Sequence, residues 1–411
     1  MCPIVFVNFN CLKYKPNGLF KREMIKVGEK HVLIIGGGIA GVAMGIFLKK
    51  QGISCSVYEG YPIKKDAGAA FGIFPNGMNV LESLGLKQEV LKNSWSIKVY
   101  ETINMYGTVM STFTLVDEEN HYYPMQYIAR SKLMNILLET AQNEGVCIHY
   151  GKKLINLHQD ETSVTAYFED GTQETGTELV GADGIHSKTR QNIFNQCSMF
   201  YAGYSIIQGI VSSQDLCGKN YESFASYVKG NNIMGIARCH SGDIENYHWV
   251  CSVYSDRKIS SKELEQKTTE ELKIELLKLF KDWSEPIPSM IENSRQIHAR
   301  SRFEFKPLES WSKNRVVLIG DALHGISPDT GQGVSLALED AMYLSKLMSE
   351  HDYKDAYHYF EFDRKARVQN IRKMAEMENP MLLGFDIFKN PTNVAASTIS
   401  AILERKETVN E

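Results

Sequence analysis

Residues 31–35 are a short apolar run that enters a glycine turn, the pattern of a buried parallel strand. Helical spacing of apolar positions follows over 43–51, with Gly52 as the expected stop. A second strand-like run, 54–58, ends at Glu59 and completes a βαβ unit of about thirty residues. Leu133, Ile136, Leu137 and Ala141 predict a helix over 131–143. Strands are expected at 146–150 and 164–168, the latter closed by a Glu169-Asp170-Gly171 turn. From about 198 to 300 the pattern changes. Alternating aromatic-rich segments at 204–212, 223–228 and 249–254, interrupted by a helix-like stretch at 268–281, predict a mainly antiparallel sheet. An apolar run returns at 316–319, and helical periodicity dominates from Val334 onward. The chain therefore reads as α/β, with a first domain interrupted by an inserted sheet domain.

Three glycine-marked segments fall on these elements. In the first, Gly36 permits a tight turn after the strand, Gly38 lets backbone approach a pyrophosphate, and Gly41 allows helix and strand to pack closely. The helix N-terminus offers free N–H groups, and Glu59 is placed to accept from ribose hydroxyls. A glycine-rich turn in an unrelated α/β protein is the competing reading, but strand, turn, helix, strand and acid all occur in order. The second segment runs over 179–187 and contains Asp183-Gly184. The third delivers Gly320-Asp321 at the end of the 316–319 run, then Pro328 and Gly331-Gln332-Gly333 before a helix. An aspartate there can bind flavin ribityl hydroxyls, and the helix N–H groups can stabilise charge on a reduced flavin. A capping aspartate would explain Asp321 but leave the two later glycines unexplained. Together the three point to FAD.

These residues resemble the class A flavin monooxygenases, the family of para-hydroxybenzoate hydroxylase, and most closely the branch of urate hydroxylases and zeaxanthin epoxidases. Residues 68–77 are similar to that branch's glycine-rich segment beside the flavin. Arg130-Ser-Lys-Leu133 is similar to its R-x-x-L helix start, and Gly181-Ala-Asp-Gly184 with Ser187 and Arg190 to its DG motif. Tyr201-Ala-Gly-Tyr204 and Gly209 echo the entry to the substrate domain, while Gly320-Asp321 and 328–333 resemble the GD motif. The likeness covers roughly residues 30–370. It implies a Rossmann-like FAD-binding domain of the glutathione reductase type, formed by 30–197 plus 300–350, around a substrate-binding sheet domain at 198–299. A 1–29 extension (or a start placed ahead of Met24) and C-terminal helices at 351–411 complete the division.

The resemblance also implies an activity. A flavoprotein hydroxylase of this kind uses NADPH or NADH to reduce FAD, and O2 then forms a flavin C4a-hydroperoxide. Its distal oxygen hydroxylates or epoxidises a small aromatic, heteroaromatic or polyene substrate. Expected cofactor contacts are Gly36, Gly38, Ala40, Gly41, Glu59, Gly72, Arg130, Asp183, Asp321, Gly331, Gln332, Gly333 and Val334, with Pro328 beside the ring. Tyr204, Tyr227 and Trp249 are the candidate substrate residues, although sheet core explains each aromatic of the insert, Tyr221 included, at least as well. His324 reads as a pyrophosphate neighbour or a structural histidine, and His186 and Arg190 as capping or solvated groups. The chain departs from the family at Ile207-Gln208, where Trp-Arg is common, and at Ser335, where Asn is common. Near 229–233, where urate enzymes are expected to carry an arginine, it offers Asn232, which argues against urate.

Composition narrows the picture. A net charge of −4 gives no basic field for nucleic acid, and the apolar runs are strand-length, so no transmembrane segment is expected. The eight cysteines include no C-x-x-C pair, which argues against a metal site and a redox dithiol and fits a cytoplasmic enzyme. The oligomeric expectation is a monomer or homodimer. Two other readings fit the same residues: a C=C reductase on the same fold, and a non-catalytic FAD-fold binding protein. The W-x-W-x-I-P segment of flavin halogenases is absent.

Overall fold

The computed structural model describes residues 30–62, 70–115, 124–194, 199–216, 222–241, 244–255, 263–264, 266–326 and 328–375. The 1–29 extension, Tyr221 and the amphipathic stretch at 393–404 lie outside these residues.

The apolar run His31–Ile35 lies inside a six-stranded sheet, flanked in parallel by Ser54–Tyr58 and Glu178–Gly181. Outside these lie Cys147–His149 on one side and Val316–Leu318 with Ser312–Lys313 on the other. Leu33 and Ile34 are wholly buried, which accounts for an apolar run without alternation. Each such side chain contributes roughly 1.5–3 kcal/mol of burial. The helices Ile39–Lys50 and Gly333–Glu350 pack together beside this sheet. Gly41 is required there, because a Cβ would stand 1.9 Å from the Gly36 carbonyl oxygen.

A second, seven-stranded sheet has the order 296–305, 199–212, 244–254, 232–241, 224–229, 99–104, 109–114. All its neighbours are antiparallel except Phe224–Lys229 beside Val99–Asn104. Two boundaries of the sequence reading change. Residues 99–114, assigned to the first domain, and 300–305 both hydrogen-bond into this sheet. A parallel pairing over more than a hundred residues leaves no local trace in the pattern. One face is covered by the helices Thr269–Phe280 and Ile287–Asn293. The first of these starts at a capping box in which Thr268 and Glu271 satisfy each other's backbone N–H. The outer strand Val109–Thr114 is largely exposed.

The long C-terminal helix Tyr353–Ala375 is held by buried charge. Arg364 donates to Asp340 Oδ1 (Nε, 2.7 Å) and to Glu339 Oε2 (3.0 Å), and Arg367 donates to both Glu339 oxygens. Asp340 also accepts from Gly320 N (2.9 Å) and faces His324 Nε2 at 3.0 Å. Glu339 accepts in addition from Asn76 Nδ2 (2.7 Å). All four ion-pair side chains are at most 5% exposed. Arg364→Leu leaves two buried carboxylates short of a cation and is expected to cost about 3–5 kcal/mol. Denaturant unfolding of the variant and the parent protein measures this directly.

Candidate active site

The strand–turn–helix elements bring the N-termini of Ile39–Lys50 and Gly333–Glu350 to the same end of the first sheet. Neither helix has a side-chain cap or an acidic residue in its first turn. Their N–H groups and positive dipole ends are therefore available to an anion. A Cβ built on Gly38 would meet nothing within 4 Å, and one on Gly333 would meet only Asp321 Oδ1 at 3.9 Å. Protein packing does not require glycine at these two positions, and its absence of a side chain leaves room for a ligand to come close. By contrast, Gly36 (φ +109°) and Gly331 (φ +66°) serve turns and close approaches, to the Ala182 carbonyl and the Phe74 ring respectively. Gly72 is small because Met125 Sδ lies where its Cβ would be.

Glu59 receives Gly37 N at 2.7 Å and Tyr61 N at 2.8 Å, so the acid at the second strand's end is fixed beside the glycine turn. Ala40 borders the first helix's opening turn and would contact a Cβ on Gly320 at 3.1 Å. Asp321 is exposed in the Gly320–Ala322 turn, beside Val334 and Gly333 at the start of the second helix. Pro328 opens the Pro328–Thr330 turn and is exposed. Gln332 is 2% exposed, and its Nε2 has no hydrogen-bond partner. Arg130 opens to the cleft; the protein around it and the like charge of Arg300 hold its pKa below the usual arginine value, opposed by Asp321.

Asp183, an expected cofactor contact, has its carboxylate engaged by its own loop. Its carboxylate accepts from Ser187 Oγ (2.6 Å), Lys188 N (2.8 Å), Thr189 N (2.9 Å) and Thr189 Oγ1 (3.1 Å). It shapes the start of the Lys188–Ile193 helix. Arg190, expected to cap or face solvent, is wholly buried. It donates to the carbonyls of Ala322 (2.8 Å) and Ile185 (2.5 Å), with its guanidinium 4.0 Å from the Phe305 ring centroid. Arg372 lies 5.5 Å from the same ring and donates to the carbonyls of Phe305 and His324.

Trp249 and Tyr227 are not in the cleft. Both belong to the core under the helices, where Trp249 Nε1 donates to Ser294 Oγ at 2.8 Å and the indole lies against Gly209. Tyr204 is 6% exposed and lies beside Tyr254, ring centroids 5.3 Å apart. The opposite face of the sheet carries the polar groups, because successive residues alternate. Gln208 and His248 stand there between core-facing neighbours, as do His298 and Arg300, which pair across strands with Gln208 and Ile206. The signal for Arg300 is legible as alternation of polar and apolar positions over 296–300, but a boundary at 299 cuts it. Tyr127, on the small sheet formed by Ala70–Ile73, Ser94–Ile97 and Met125–Ala129, packs below this face.

The comparisons with known proteins bear on this cradle. The FAD binding domain family matches residues 29–358, most of the chain. The chain belongs to this family. It is an FAD-dependent monooxygenase. It is 24% identical over 380 residues to 6-hydroxynicotinate 3-monooxygenase of Pseudomonas fluorescens, covering 88% of this chain and 96% of that one. It is 28% identical over 331 residues to the FAD-dependent urate hydroxylase of Mycolicibacterium vanbaalenii, covering 78% and 80%. The fold is that of Klebsiella pneumoniae HpxO complexed with FAD and uric acid, with a TM-score of 0.75 at 23% identity, covering 92% and 98%. No described helix is long and apolar enough to cross a membrane. FAD fits the residues present: two uncapped helix ends, two glycines facing open space, and a buried amide on Gln332 with an unused donor.

A Cβ at Gly38 or Gly333 enters that space without a close protein contact, so Gly38→Ala and Gly333→Ala are each expected to lower FAD content several-fold while the chain stays folded. Flavin absorbance per protein, read with circular dichroism, checks this. A pH dependence also follows. Burial pushes the His248 imidazole down to about 3 from 6.5. The folded state therefore keeps it neutral while the unfolded chain protonates below 6.5, so its contribution is intact above pH 6.5 and is lost on acidification toward 3. The slope is on the order of 1 kcal/mol per pH unit. Urea unfolding between neutral pH and about pH 5 should show a shallower slope for His248→Gln than for the parent.

Proposed function

We propose that this monooxygenase uses NADH or NADPH and O2 to hydroxylate a small aromatic or heteroaromatic ring. The ring is held between the open face of the seven-stranded sheet and the FAD cradle. The observation that carries this reading is the polar set on that face: Gln208, His248 and Arg300, with Tyr127 beneath. A polyene would leave the Gln208 amide nitrogen and the Arg300 guanidinium without partners, at the cost of their desolvation, whereas a hydroxylated or oxo-substituted ring would satisfy them. The names of the relatives, acting on hydroxynicotinate and urate, support a heteroaromatic ring. Urate itself fits less well, because Asn232 sits at a hairpin turn opposite Lys229 where an arginine would be expected.

When bound, FAD supplies the hydride-accepting and oxygen-activating ring. The chain's residues supply placement. Gly38 and the first helix take the pyrophosphate, and Glu59 takes a ribose. Asp321 and Arg130 flank the ribityl and ring region, and the helix beginning at Gly333 stabilises negative charge on the ring. The apolar surroundings of the sheet face, Ile206 and Ile210 among them, keep water from the reacting ring. Free thiols at Cys55, Cys239 and Cys251, all buried, support a reducing cytoplasmic setting for a monomeric or homodimeric enzyme.

FAD-loaded protein supplied with NADH or NADPH and a panel of hydroxypyridines and phenols is expected to consume nicotinamide and O2 in equal amounts. The product should gain the mass of one oxygen atom in step with both. Substrate-dependent nicotinamide oxidation without O2 uptake would replace this reading with a C=C reductase. A protein that takes up no FAD would remove it altogether.

A further inference from the structure

The open sheet face contains a hydrogen-bonded chain whose direction can be worked out atom by atom. Tyr127 Oη lies 2.7 Å from His248 Nδ1, and His248 Nε2 lies 3.2 Å from Gln208 Oε1. His248 and Tyr127 are 1% and 4% exposed, so neither can exchange its partner for water. A carboxamide oxygen only accepts, so His248 Nε2 must carry the hydrogen and donate it. A neutral imidazole protonated at Nε2 has a bare Nδ1, and that nitrogen accepts from the Tyr127 hydroxyl. Burial disfavours both charged forms, holding the imidazole neutral and pushing the phenol pKa up. The chain is thus uncharged and runs one way, from Tyr127 through His248 to the Gln208 oxygen.

Its end has a consequence for the substrate. Gln208 is half-buried, and its oxygen is turned back toward His248. Among the described residues its Nε2 donates to nothing, and it stands on the face that also carries His298 and Arg300. A glutamine at such a position could otherwise rotate and present either its oxygen or its nitrogen. Here its oxygen meets His248 Nε2, which leaves the nitrogen to be presented.

We propose that Gln208 is the specificity-determining residue of this site, presenting its amide N–H groups to a ring oxygen of the substrate, and that Tyr127 and His248 are positioning residues that lock its orientation. The ligand class is then a ring bearing an acceptor, such as a phenolate, an oxo group or a carboxylate, rather than a ring bearing an amine. Arg300 on the same face adds attraction for the same sign of charge. This proposal rests on the ring-hydroxylase reading, since it takes that sheet face as the substrate side of the cleft.

Binding distinguishes the two claims without turnover. FAD-loaded wild-type protein, titrated with hydroxypyridines and the matching aminopyridines and followed by flavin absorbance, is expected to prefer the hydroxy member of each pair. Gln208→Leu should weaken hydroxypyridine binding about tenfold and leave aminopyridine binding within about twofold, removing the preference. Tyr127→Phe removes the hydrogen bond that holds the imidazole in place, so the amide it meets is freer to turn. It should raise aminopyridine affinity while lowering hydroxypyridine affinity several-fold. Flavin content of both variants reports folding, and Gln208→Asn, which keeps the amide, should restore part of the preference. Equal binding of both series by the wild type, or a preference that survives in Gln208→Leu and Tyr127→Phe with normal flavin content, overturns the proposal. If instead the preference behaves as described but no oxygenated product forms with NADH or NADPH, Gln208 keeps its role and the hydroxylase reading fails.

Discussion

The structure depends on the buried cluster in which Asp340 and Glu339 meet Arg364, Arg367 and His324. Asp340 reaches two functional elements at once: one carboxylate oxygen takes the Gly320 N–H and faces His324, and the other takes Arg364. The turn that exposes Asp321 is therefore held in place by a helix that begins more than thirty residues later. Arg364 holds Asp340 near 2, against the opposing effect of burial, so the carboxylate stays ionised throughout the range in which the protein would work. A pair so deep gives little net stability compared with a well-packed apolar core, because each ion has lost its water. What it specifies is one arrangement, since any register error in the C-terminal helix would strand a charge.

Around that fixed turn, glycine is used in two distinct ways. At Gly36, Gly41 and Gly331 the neighbouring protein forbids a side chain, and the residue is explained by folding alone. At Gly38 and Gly333 the protein leaves room, and folding alone does not account for the residue. The identical letters in the sequence conceal this difference, and the coordinates separate them. The two permissive glycines lie at the two uncapped helix ends, which is where a dinucleotide's phosphates and a flavin's electron-rich ring would need donors.

Much of the first domain was legible because its signals are local. The strand, glycine turn, helix, strand and acid over 31–59 form one βαβ unit, and their spacing alone dictates contact. The sheet domain was legible in type but not in facing. Trp249 and Tyr227 are aromatic and so is the opposite face at Phe224, with Tyr127 of the small sheet packed on it; composition cannot say which side looks at a cleft, whereas the pairing register does. Arg190 was misread because its partners, the Ala322 carbonyl and the Phe305 ring, are more than a hundred residues away. Asp183 was read as a cofactor ligand because its motif marks a cofactor-adjacent loop, yet the loop consumes the carboxylate in building its own helix start.

The Phe305 ring, with the guanidinium of Arg190 at 4.0 Å and that of Arg372 at 5.5 Å, terminates the strand that carries Arg300. Both cations also hold carbonyls of the turn region between Ala322 and His324. The strand end and that turn are thus riveted to each other through one aromatic plate. Along the sheet, the first strand is pinned beside that turn, and the last strand, 109–114, pairs on one side only among the described residues. Arg300, on the pinned strand, is thereby held in register with the turn that follows Asp321.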